Sequence, residues 1–79
     1  MKIYIKNLTG RSTQITVNGS DTISKGKQIY KNASGTSNAD PQWKIDGQVM
    51  SNNKTFNDYG IEEDDNITSN DRSEGGKNK

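Results

Sequence analysis

Two stretches of strict alternation, residues 2–6 and 12–17, flank the turn sequence Leu8-Thr9-Gly10. In the first, Ile3 and Ile5 share one side and Lys2, Tyr4 and Lys6 the other. In the second, Thr13, Ile15 and Val17 face inward. Successive side chains of a strand point to opposite faces, so each stretch reads as a half-buried strand. Gly10 supplies the positive φ of a bulged hairpin turn. The chain thus opens as a β-hairpin with one apolar face, which the rest of the sequence has to cover.

Asn18-Gly19-Ser20-Asp21 is a turn cluster. Thr22 then fits a helix N-cap, its hydroxyl able to accept from an orphan amide. Ile23, Lys27, Tyr30 and Ala33 recur at helical spacing with Gly26 between them, and Gly35 closes the helix in the left-handed conformation. Gly26 at an inward position weakens the helix by about 1 kcal/mol in propensity, before any lost packing. After a polar loop and Pro41, residues 42–45 read as a strand with Trp43 and Ile45 on one face. Asp46-Gly47 is a hairpin signal leading to a short strand at 48–50. Residues 55–59 make a short helical turn, and Ile61 and Ile67 are apolar anchors. A last strand at 66–72 is mostly polar. It is the weakest element, expected to exchange its amides faster than the first hairpin. This order of elements describes an α+β fold, a β-grasp in which a mixed sheet packs on one helix, burying the alternate strand residues against Ile23 and Tyr30. Residues 1–72 form the domain and 73–79 a flexible tail.

A chain of 79 residues holds one small core. With 25% hydrophobic residues and a mean hydropathy of −1.15, it lies close to the composition at which ordering entropy is no longer offset. Its low net charge and regular patterning place it among folded domains of modest stability. Neither Cys nor His is present. The chain therefore has no disulfide, no thiolate nucleophile, no usual zinc ligand and no imidazole base, so neither catalysis nor a cofactor or metal is expected. A formal net charge of +1 gives no field that would favour nucleic acid or an anionic membrane. No apolar run approaches a signal peptide or membrane span, so a monomer in the cytoplasm or nucleus is expected.

The first ten residues, together with Gly19-Ser20-Asp21-Thr22-Ile23, Asp58-Tyr59-Gly60-Ile61 and Gly75-Gly76, resemble the ubiquitin family without a gap over residues 1–76. The resemblance puts Ile3, Val17, Ile23 and Ile61 at family core positions. Ile5, Ile15, Tyr30, Trp43, Met50, Phe56 and Ile67 are apolar replacements there. It pairs Asp58 with a buried Tyr59 whose hydroxyl bonds the backbone of the loop before the last strand. At three core positions the chain departs: Thr13 and Ser69 stand for aliphatics and Gly26 for valine. Each is a change that costs about one to several kcal/mol unless the core repacks.

Function in that family rests on a tail ending in Gly-Gly, whose carboxylate is adenylated, carried as a thioester and joined to a lysine. The resemblance assigns this role to Gly75 and Gly76, once a processing protease has removed Lys77-Asn78-Lys79. Arg72 is the one family residue kept in the approach, which reads Asp71-Arg72-Ser73-Glu74. A cleft shaped for leucine and arginine would reject this approach, so dedicated activating and conjugating enzymes are expected rather than those of ubiquitin. Lys6 and Lys27 stand at chain-acceptor positions, Lys27 on the inward side of the helix. Gln48 and Glu63 replace the lysines of the best-known linkages. Of the apolar patch read by ubiquitin receptors only Leu8 remains, with Lys44, Thr68 and Asn70 in place of the other residues. Weak or no binding to those receptors follows.

The leading reading is a modifier conjugated through Gly76 to lysines of target proteins. Two others stand beside it. A non-conjugated ubiquitin-like interaction module suits the polar tail and its Lys77-Asn78-Lys79 extension. A redesigned or drifted ubiquitin, fold kept and function lost, suits a respected core under a surface rich in Asn, Ser, Asp and Lys.

Overall fold

The structure is a computed structural model and describes residues 1–36 and 40–70. Among these residues, five strands and one α-helix follow in the order β1 (Lys2–Asn7), β2 (Ser12–Thr16), α1 (Ile23–Ser34), β3 (Gln42–Ile45), β4 (Gln48–Val49) and β5 (Asn66–Asn70), with one 3₁₀ turn at Asn57–Tyr59. The sheet order is β2-β1-β5-β3-β4. β1 and β5 run parallel while every other pairing is antiparallel. This mixed sheet on one helix is the expected β-grasp.

The local signals act where the sequence places them. Asn7 Oδ1 accepts from the amides of Thr9 and Arg11 and from the Thr9 hydroxyl, and Gly10 sits at φ +90°. Thr22 caps α1 by accepting from the Lys25 amide at 3.2 Å, and Gly35, at φ +74°, donates its amide to the Lys31 carbonyl. Asp46 and Gly47, both at positive φ, make the mirror-image turn that suits the twist of a tight hairpin. Val17 lies one residue past β2 but is still buried, its amide donating to the Met1 carbonyl.

One core holds Ile3, Ile5, Ile15, Val17, Ile23, Tyr30, Trp43, Met50, Phe56, Ile61 and Ile67. Trp43 is its centre, with the Tyr30 ring edge-on at 5.9 Å and the Phe56 ring tilted at 6.4 Å. Two of the three core departures, Gly26 and Ser69, are resolved around this indole. A Cβ on Gly26 would run into Phe56 Cζ and lie 3.3 Å from Trp43 Cζ3; the aromatic rings occupy the space a side chain would need. The fully buried Ser69 accepts from Trp43 Nε1 at 3.1 Å, so two polar groups that would each be costly alone satisfy one another.

Four expectations are corrected. Ala33 is exposed, because the buried stripe of α1 runs through Ile23, Gly26, Lys27 and Tyr30 and then leaves the core. Thr13 is half-buried, at the margin of the core. Tyr59 is half-buried rather than buried; its hydroxyl accepts from the Ser51 amide at 2.6 Å from a partly wet position. The polar last strand is not a weak margin of the sheet: β5 lies between β1 and β3 and is bonded on both sides.

Candidate functional site

The solvent face of the sheet is built by strand parity and register. Alternation turns Ile67 and Ser69 inward, so Asn66, Thr68 and Asn70 face out. Lys44 pairs with Thr68 and Gln42 with Asn70. On the other flank of β5, Lys6 pairs with Thr68 and Asn7 with Ser69, so the turn that carries Leu8 begins level with Asn70. Lys44, Thr68, Asn70 and Leu8 therefore share one end of one face, and all four are exposed. The arrangement presents one aliphatic side chain, an ammonium, a hydroxyl and an amide. That is a surface for hydrogen bonds and ion pairs rather than apolar docking.

Lys6 projects from this face into solvent, whereas Lys27 points the other way. The Lys27 ammonium is almost fully buried and donates to Asp40 Oδ1 at 3.0 Å and Asn52 Oδ1 at 2.6 Å. Asn52 Nδ2 in turn donates to Asp40 Oδ1 at 3.1 Å, closing a three-residue ring between helix and loops. Hydrogen bonding from Lys27, and then from Asn52, holds the Asp40 carboxyl below its ordinary range. An open depression of about 260 Å³ lies beside this ring, walled by Pro41, Val49 and Met50.

The loop before β5 is braced in a similar way. Asp58 accepts from the Thr55 amide at 2.9 Å while its own amide donates to the Thr55 hydroxyl. The Thr55 amide and then the Thr55 hydroxyl hold the Asp58 carboxyl low. Gly75, Gly76 and Arg72, the tail residues singled out by sequence, lie outside the described residues, as do Asp71, Ser73, Glu74 and Lys77–Lys79. Among the described residues no three His, Cys, Asp or Glu side chains are grouped to hold a metal ion, and no helix is long and apolar enough to cross a membrane.

Three features escaped the sequence reading: the Asp40 and Asn52 partners of Lys27, the placement of Lys6 and Lys44 on either side of Thr68, and the exposure of Val49. The first two depend on contact between distant segments. The exposed Val49 had a weak local signal, standing on an edge strand immediately after a tight turn.

The five-stranded mixed sheet packed on one helix defines a β-grasp domain. The family model of the ubiquitin family matches residues 3–71, and the chain belongs to that family. No curated protein matches it.

Proposed function

We propose that this chain is a ubiquitin-like protein modifier, processed after Gly76 and joined through the Gly76 carboxylate to lysines of target proteins. The observation that carries this reading is Gly75-Gly76, which begins four residues after the end, at 71, of the matched family segment. Two consecutive glycines let an extended tail thread a narrow cleft to an adenylating and then a thioester-forming centre. Conjugation would run in three displacements: the Gly76 carboxylate attacks ATP and releases pyrophosphate, an enzyme thiol displaces AMP to form a thioester, and a lysine amine displaces that thiol to form the amide. The Asp71-Arg72-Ser73-Glu74 approach leaves Arg72 as the family-like contact and calls for dedicated activating and conjugating enzymes. Lys6, exposed on the sheet, is the acceptor if chains are built. Lys27, buried and doubly bonded, would have to leave its partners before it could be acylated. The polar Lys44, Thr68 and Asn70 disfavour receptors that dock on an apolar patch. Cytoplasm and nucleus are where such conjugation would run.

Intact mass of the protein recovered from its source under denaturing conditions tests the reading. Chains ending at Gly76, or Gly76 in isopeptide linkage to other proteins, are expected. A single species that retains Lys77–Lys79 would overturn it in favour of a non-conjugated interaction module, which the polar tail approach also suits.

A further inference from the structure

Every carboxylate of the described residues lies outside the strands. Asp21, Asp40, Asp46 and Asp58 stand in turns and loops, and Glu62-Glu63-Asp64-Asp65 forms one run before β5. The strands' solvent face carries only cations and neutral hydrogen-bonding groups besides Tyr4 and Val49, with the exposed Leu8 at its end in the β1–β2 turn. The strands thus carry lysines and no carboxylate, while Arg11, Lys25, Lys27, Lys31 and Lys54 lie on turns, helix and loops.

Pairing gathers two of the strand lysines in one rung. Ser12, Lys6, Thr68, Lys44 and Val49 are successive partners across all five strands. Lys6 and Lys44 flank Thr68 two strand spacings apart, roughly 10 Å at the Cα atoms. Neither has an ion-pair partner among the described residues, whereas Lys2 on the same face is drawn to Asp64 at 3.4 Å. At the β4 end the rung closes on the exposed Val49.

We infer that this rung is a docking surface for a short acidic protein segment laid across the strands, with carboxylates reaching Lys6 and Lys44 and an aliphatic side chain against Val49. Acidic residues two to three apart in an extended segment are roughly 7–10 Å apart, which matches the lysine spacing within the reach of their flexible arms. Thr68 offers a hydroxyl between them. The acidic run 62–65 at the start of β5 selects for length and direction. A segment crossing the strands along the rung keeps clear of it, while a long polyanion would be carried into a like-charged region. The surface acts independently of any chemistry at the carboxyl terminus.

The test is a titration of the isotope-labelled full chain, followed by amide chemical shifts, with a short synthetic peptide alternating aspartate and serine and ending in valine. Shifts confined to the rung are expected, weakening as salt is raised. Lys6→Gln with Lys44→Gln should lower affinity about tenfold, whereas Lys31→Gln with Lys54→Gln, matched in net charge, should change it less than about twofold. Lys6→Arg with Lys44→Arg should retain binding. Equal losses in the two glutamine variants, shifts spread over the helix face, or tighter binding of a single-stranded oligonucleotide to the rung at the same salt would overturn the inference.

Discussion

At the scale of single residues, the core is held by complementary irregularities. Gly26 and Ser69 each look like losses in isolation, one lacking a side chain and the other placing a hydroxyl where the core is apolar. Around Trp43 they become requirements. Gly26→Ala would raise stability by about 1 kcal/mol in an ordinary helix interior. Here the added methyl meets the Phe56 ring, and overpacking of this kind costs about 1–3 kcal/mol. Urea unfolding should therefore show a net loss. Phe56→Leu combined with Gly26→Ala should cost less than the sum of the two single changes, the mark of residues in contact. Ser69→Ala removes the acceptor of the buried Trp43 indole N–H and should destabilise by about 1–3 kcal/mol, since the orphaned donor has no water to turn to. A midpoint unchanged in urea would show that the indole finds another acceptor.

Among the elements, β5 departs furthest from its composition. Asn66, Thr68, Ser69 and Asn70 carry little apolar surface, and its strength comes from position. It is bonded to β1 and β3, with Ile67 and Ser69 fully buried. β2 has a more regular alternation but lies at the sheet edge with one flank open. Hydrogen exchange should accordingly find the amides of β5 no less protected than those of β2, reversing the expectation from sequence. Faster exchange throughout β5 would mean that polar composition outweighs a central place. The helix follows the opposite pattern. Its bounds are set locally by the Thr22 hydroxyl and the left-handed Gly35, which is why they could be read directly.

For the whole molecule, acid sensitivity follows from two carboxyls. Asp40 and Asp58 have folded pKa values below their ordinary value of 3.8. Their contribution is therefore present above that value and is lost as pH falls through it toward the lower folded values. Stability should be flat near neutrality and decline below about pH 5. Asp40→Asn with Asp58→Asn should flatten the decline, as read from thermal unfolding across pH. Both groups are largely exposed, so solvent screening keeps the effect modest.

The sequence by itself determined the elements, their order, the hairpin turns, the helix caps and most of the core, because those signals are local. A left-handed glycine, a capping hydroxyl and a period of two or of 3.6 act within a few residues of where they are written. It also showed that the apolar patch of the ubiquitin family is absent, since Lys44, Thr68 and Asn70 cannot supply it. Only the tertiary structure decided that the most polar strand is central, that Gly26 makes room for Phe56, that Ser69 answers Trp43, and that Lys27 is held by Asp40 and Asn52. It alone set Lys6 and Lys44 on either side of Thr68. The physical reason is common to all five. Each depends on contact between segments far apart in the chain, where packing and pairing of the whole outweigh what any short stretch prefers alone.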